Sequence, residues 1–303
     1  MSTPATDIAA PLDRLSDMLD RFRVRASLFH AGPLCGLHVF DARPGRAFMH
    51  VLRRGTLEIR HPKGLAIAPT VHLSEPTLLL YPRPLHHEFL NPPVDGSDFA
   101  CATLDFEGGG QHPIVQSLPA FMAIPLAAID GLEASLDLLF SEADQVRCGF
   151  RPLADRLFEV VLIKLLRWIV DHPADAGVRE GVMMGLSDPR LARSLVALHR
   201  APEATWSVER MADIAGMSRS AFAATFRMVT GTTPAAYLLD WRVSMAATLL
   251  RAGCAAKQVA IDVGFADSAT LSKAFRKRMG VSPRQWATEA TASGQPPPVH
   301  PES

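Results

Sequence analysis

Two sets of side chains in this 303-residue sequence could do chemistry. The first lies in two segments of helical period near the C-terminus. One presents Arg219, Ser220, Ala223, Ala224 and Arg227; the other presents Ser268, Ala269, Thr270, Ser272, Lys273, Arg276 and Lys277. Guanidinium and ammonium groups neutralise phosphates, and Arg, Lys, Ser and Thr can bond the edges of bases, so the chemistry on offer is nucleic-acid binding. The second set is Cys35, His50, His87 and Cys101, in the N-terminal half. Thiols and imidazoles could gather round an effector, cycle between thiol and disulfide, or hold zinc. The plain alternative is packing, because cysteines on strands are most often buried and inert.

The first set needs two helices held in fixed relation, and Ser207 to Trp286 supplies them. One pattern occurs twice there: a short apolar-periodic helix, a turn with Gly216 or Gly264, and a second helix. That is the helix-turn-helix arrangement, whose second helix lies in the major groove. The units run from Val208 to Val229 and from Gln258 to Met279. In the first, Ser207 and Ser218 are placed to cap helices. Val208, Met211, Ala212, Ile214 and Ala215 form its packed side, with Phe222, Phe226 and Val229 pointing inward. In the second, Val259, Ala260, Ile261 and Val263 pack, Asp267 or Ser268 caps, and Leu271, Phe275 and Met279 face inward. Thr233-Pro234 opens a connecting helix through Leu250, with Pro at its tolerated first position. Seventeen residues at 1.5 Å each span roughly 25 Å. Readers in successive grooves stand about 34 Å apart, so the connector is the right kind of spacer. Lys277 and Arg278 suit phosphates, and Trp286 closes the end as an apolar lid.

Charge supports this division. The chain is formally neutral, yet residues 190–290 hold 14 Lys and Arg against 7 Asp and Glu, a net +7. The remainder holds 17 against 24, a net −7. A basic module joined to an acidic one fits phosphate binding plus a separate task. No apolar run reaches the roughly 18 residues of a membrane span; the longest, Phe158 to Val170, is broken by Glu159, Lys164 and Arg167. The opening MSTPATDIAAPLDRL lacks a basic stretch before an apolar core, which predicts no secretory leader. The four cysteines show no CxxC pairing and point to a reduced, cytoplasmic setting.

Residues 11–25 predict an amphipathic opening helix. From Val24 to Leu126, short apolar runs between Pro and Gly predict serial strands of a sandwich or barrel. Helical period returns over Leu132–Val146 and Leu153–Val170. The second is apolar round most of its girth, so it belongs between domains, in a dimer interface, or in the core of one subunit. His172 to Asp188 reads as a connection, Asp188-Pro189 as the start of the C-terminal module, and Thr288 to Ser303 as a disordered polar tail. His61, His72, His112 and His199 have no ligand spacing and are expected at the surface. Cys148 and Cys254 are expected to be structural.

The run GFADSATLSKAFRKRMGVSPRQW resembles the signature of the AraC/XylS family of bacterial transcription regulators, and MADIAGMSRSAFAATFRMVTGTTPAAYL is similar to that family's first helix-turn-helix and linker. Ala269 stands where the family commonly has Ser, and Leu271 where it has Phe. The resemblance implies base contacts from Ser220, Ala223, Ala224 and Arg227 of the first reader, and from Ser268, Ala269, Thr270, Ser272 and Lys273 of the second. Residues 82–91 (PRPLHHEFLN) resemble the second cupin motif, with His87 and Asn91 on pattern and Pro84 in place of Gly. Of the first cupin motif's ligands only His50 survives. The expected fold is α+β: a cupin-like β-barrel with flanking helices, then an all-α module of two helix-turn-helix units on a long linker helix. The expected divisions are a sensor at 1–130, a helical dimerisation and connecting region at 131–186, the DNA-binding domain at 187–290 and a tail at 291–303. The function implied is sequence-specific transcription regulation in a homodimer that binds promoter DNA and engages RNA polymerase. The trigger would be a small-molecule or oxidant effector, since that branch of the family includes oxidant-responsive regulators. No cofactor, metal or catalysis is expected; the alternative is a cupin metalloenzyme with a helical appendage.

Overall fold

The computed structural model describes residues 12–91 and 97–292. It begins with α1 (Ser16–Arg21), followed by β1 (Val24–Leu34), β2 (Gly36–Phe40), β3 (Ala47–Arg54), β4 (Leu57–Arg60), β5 (Thr70–Leu73), β6 (Thr77–Tyr81), β7 (His87–Asn91) and β8 (Ser97–Phe106). Then come α2 (Pro113–Ser117), β9 (Met122–Pro125), α3 (Glu133–Asp144), α4 (Phe150–Asp171) and α5 (Val182–Ser187). The remainder is helical: α6 (Pro189–Arg200), α7 (Val208–Ala215), α8 (Arg219–Thr230), α9 (Pro234–Arg251), α10 (Ala256–Asp262), α11 (Ser268–Met279) and α12 (Pro283–Ala292).

The strands form two sheets, ordered β1-β8-β3-β6-β9 and β2-β7-β4-β5, every pair antiparallel. This is an open, jelly-roll-like pair of sheets, the sandwich form of the expected strand-rich half, followed by the expected helices. The five-stranded sheet is the middle layer. Along β3, Ala47, Met49 and Val51 join one apolar cluster while Phe48 and Leu52 join another, the alternation that strand geometry imposes. Between the sheets, Phe48, Tyr81, Phe89, Phe99 and Cys101 make the inner cluster. On the other face the cluster passes through α3 and α4 and on into the C-terminal helices without a break.

Helix α4 answers where its apolar girth goes. Leu157, Phe158, Val161, Leu162, Leu165, Leu166, Ile169 and Val170 are all buried within this chain, against β1 and α3 among others. Several expectations change. The opening helix is confined to Ser16–Arg21, because Val24 already pairs with Phe106 in the sheet. The expected connection contains α5, a single apolar turn and a half too short to show a period. The helix α12 runs to Ala292, into the stretch expected to be a tail; 293–303 lie outside the described residues.

Candidate nucleic-acid interface

Each helix-turn-helix unit is built by local chemistry. Ser207 caps α7 by accepting from the Arg210 amide at 3.2 Å, and Ser218 caps α8 from Ala221 at 3.3 Å. Thr233 does the same for the linker helix α9 from Ala236 at 3.3 Å. Asp267, and not Ser268, caps α11, accepting from the Thr270 amide at 2.6 Å; that bond holds its carboxyl below the ordinary carboxylate range. Phe222 and Phe226 anchor α8 in the core, as Leu271 and Phe275 anchor α11. Trp286 closes the second unit by donating to the Ala247 carbonyl at 3.0 Å, with the Arg251 guanidinium over its ring. Ile261, expected to pack, is 57% exposed.

Caps and core leave one face of each reader turned outward. Arg219, Ser220, Ala224 and Arg227 are exposed on α8, with Ala223 half-buried. On α11, Ser268, Ala269, Thr270, Lys273, Arg276 and Lys277 are exposed and Ser272 is half-buried. Arg219 pairs with Glu209 at 2.7 Å, across the turn. Arg278 is different: its side chain lies 3.1 Å from Asp240 on α9 and 3.4 Å from Gln116 on α2, which belongs to the strand-rich half. Burial raises the Asp240 carboxyl above its usual range and Arg278 opposes the rise. Met228, which the sequence reading passed over, is the most exposed large hydrophobic side chain of α8, at 74%. Its signal was available, since it stands one position from Arg227 on a helix whose inward face is fixed by Phe222 and Phe226.

The two halves meet in a joint. The Phe22 ring packs edge-on against Trp241 of α9 at 4.9 Å between centroids, and His199 stacks on that Trp241 at 3.7 Å while bonding the Tyr237 hydroxyl at 2.7 Å. His112 caps α2 by accepting from Ile114, and its Nε2 donates to the Phe22 carbonyl at 3.1 Å. The amide of Gly181 donates to the Val229 carbonyl at the end of α8, at 3.2 Å. A 240 Å³ cleft opens between α2, the start of α5 and helices α8, α9 and α11. His112 and His199, expected at the surface, are therefore buried structural groups, as is His61, which bridges the Ala68 carbonyl and the Tyr81 hydroxyl. Burial lowers the His112 pKa to about 4 and that of His199 to about 3.

Of the second chemical set, three residues come together. His50 and His87 face each other between the sheets, their Nε2 atoms 3.1 Å apart. His87 Nδ1 donates to the Leu85 carbonyl at 2.9 Å, so its Nε2 accepts and His50 donates. Tyr81 and Phe40 stack on the two faces of the His87 ring, at 3.9 and 4.8 Å. Cys101 stands opposite His50 in the β3–β8 register, wholly buried, with its thiol pKa pushed up by burial. Cys35 is apart from them, exposed between β1 and β2, and Cys148 is also exposed; all four cysteines are free. Burial holds His50 and His87 neutral, His87 at about 3. Among the described residues no three His, Cys, Asp or Glu stand where they could share a metal ion. Two imidazoles among aromatic rings do not fit the three or four ligands of a cupin metal centre. Among the described residues, His50 Nδ1 and both amide atoms of Asn91 are buried between or beside the sheets without a partner.

Comparison with known proteins agrees with both halves. A family model described as Cupin matches residues 13–171, and a helix-turn-helix domain model matches 211–289. A putative AraC-like transcription regulator of Streptomyces lividans is 28% identical over 309 residues, 92% of this chain and 99% of the relative. A putative AraC-like transcription regulator of Streptomyces antibioticus is 31% identical over 194 residues, covering 63% of this chain and 62% of its own. The RCS-specific HTH-type transcriptional activator RclR of Escherichia coli is 26% identical over 243 residues, covering 78% and 82%.

Proposed function

This chain belongs to the AraC family of transcription regulators, with an N-terminal cupin domain, and from that membership we propose how it binds and responds. The readers α8 and α11 enter successive major grooves on one face of an operator, joined by the 18 residues of α9. Arg219, Arg227, Arg276 and Lys277 hold phosphates, while Ser220, Ser268, Thr270 and Lys273 bond base edges and Ala223, Ala224, Ala269 and Ser272 line the approach. The observation that carries this is that core and caps hold both helices with these side chains exposed, Ala223 and Ser272 half-buried.

The cupin domain receives the signal, a small molecule or an oxidant, at the His50–His87 pair and its aromatic surround. The joint then passes it to the readers as a shift between two arrangements. Gln116 touching Arg278 and Gly181 touching Val229 support this route, since the first ties the sensor, and the second the connecting region, to the end of one reader. The exposed apolar side chains Leu138, Leu153 and Val160 on α3 and α4 support a homodimer through that face. RNA polymerase is the further partner, supported by the description of one relative as an activator. Catalysis is no part of this reading, which places the protein in the cytoplasm with its DNA. The test is binding to duplexes selected from random DNA, titrated against salt. Steeply salt-dependent, sequence-selective binding that is lost in R227A/K273A/R276A is the expected result; binding unchanged in that variant would refute the residue roles.

A further inference from the structure

The two readers align at a constant offset: the cap Ser218 corresponds to Asp267, Phe226 to Phe275, and the closing Gly231 to Gly280. Inward positions match in kind. Outward positions do not. Where α11 carries Thr270, Lys273 and Lys277, α8 carries Ala221, Ala224 and Met228. All six are exposed.

We propose that Met228, with Ala224 one turn before it, reads thymine by apolar contact with its 5-methyl group. This rests on α8 being a DNA reader. Met228 is 74% exposed, and among the described residues no apolar core accounts for an apolar side chain there. Its neighbours Arg227 and, at the start of the helix, Arg219 are cationic and exposed, which suits a polyanion better than a protein surface. On the major-groove edges of the four bases the thymine methyl is the apolar feature; the others present donors and acceptors. An apolar side chain on a reading face can therefore select thymine and little else. Methionine suits the task, with three rotatable bonds and a polarisable sulfur that follow a surface as it presents itself. Ala224 leaves the base edge room to approach. At the same place in the second reader, Lys277 has no such selectivity and can hold a phosphate.

Uracil differs from thymine by that methyl alone. The test uses the full chain and a duplex recovered by in vitro selection from random DNA. The half-site under α8 is the one whose protection weakens in R219A/R227A. Each thymine of that half-site is then replaced singly by uracil. At least one replacement is expected to weaken binding about fourfold, the worth of burying one methyl group. M228A should lose a similar factor on the thymine duplex and bind the uracil duplex equally well. M228K should also be blind to the methyl, while its log–log salt dependence steepens by about 0.9 for one added phosphate contact. Equal affinity for thymine and uracil at every position of that half-site would overturn the proposal while leaving DNA binding intact. So would a methyl effect undiminished in M228A, whose thermal melting should match the parent because the side chain is exposed. Failure to select any sequence would overturn the underlying reading and the proposal with it.

Discussion

The two helix-turn-helix units are one scaffold used twice with different outward faces. Each has a capped reader, two buried anchors and a closing glycine. Yet the first offers Arg219, Arg227, small residues and Met228, and the second offers hydroxyls and four consecutive or near-consecutive cations. They also meet the rest of the chain differently. The first is tied to the connecting region by a backbone bond from Gly181 to Val229, the second to the sensor by the side chain of Arg278. Even the turns differ. A Cβ on Gly216 would meet open space, whereas on Gly264 it would lie 2.7 Å from the Glu203 Cα and 2.8 Å from Arg242. Packing fixes where the readers stand, and the outward residues, which no packing constrains, are free to diverge. We therefore expect the second unit to supply most of the electrostatic affinity and the first to read shape and apolar contact.

The largest expected effect abolishes the comparison by loosening the sheets of the sensor and the joint both units share. His50, His87, His112 and His199 are kept neutral by burial, so below the ordinary histidine pKa of about 6.5 the unfolded chain binds more protons than the folded one. Stability is full above that pH and falls as the pH drops towards 4, by up to roughly 1.4 kcal/mol per pH unit for each histidine. Denaturant melts from pH 7.5 to 4.5 should show it, and H199Q should flatten the slope by one histidine's share. Next, K273A/R276A/K277A should lower affinity on the order of a hundredfold, more than R219A/R227A because a base contact is lost as well, while each flattens the log–log salt slope by about 1.8 for its two phosphate contacts. Equal losses would erase the asymmetry. Third, G264A should cost on the order of 3 kcal/mol from strain plus overlap, whereas G216A should cost about 1 kcal/mol from strain alone; chemical unfolding compares them. Smallest, Q116A frees Arg278 from the sensor and should raise DNA affinity by about twofold, as expected for an exposed polar contact.

Much of the C-terminal half was legible because its signals are local. Ser207, Ser218, Thr233 and the Asp188-Pro189 pair each act within three residues, and the predicted caps are the observed ones. The histidines were not legible for the opposite reason. His112 bonds a carbonyl 90 residues away and His199 a hydroxyl 38 residues away, so no spacing announces them. Cys35 looked like a strand residue beside Cys101, but the chain breaks there to change sheets, leaving it exposed. Ile261 was misassigned because α10 is only seven residues, too short for its period to separate inward from outward. The signal at Met228, an apolar residue on the face opposite Phe222 and Phe226, is legible only when the helical period is read for what faces outward as well as for the core.

Two unequal readers in successive major grooves leave a footprint of two unequal halves. Methylation interference at guanine N7 on a selected operator tests it most directly. Two patches about 10 base pairs apart on one face of the duplex are expected, with the α11 patch persisting in R219A/R227A and the α8 patch weakened. A single patch, or a stronger dependence on the α8 patch than on the other, would contradict it.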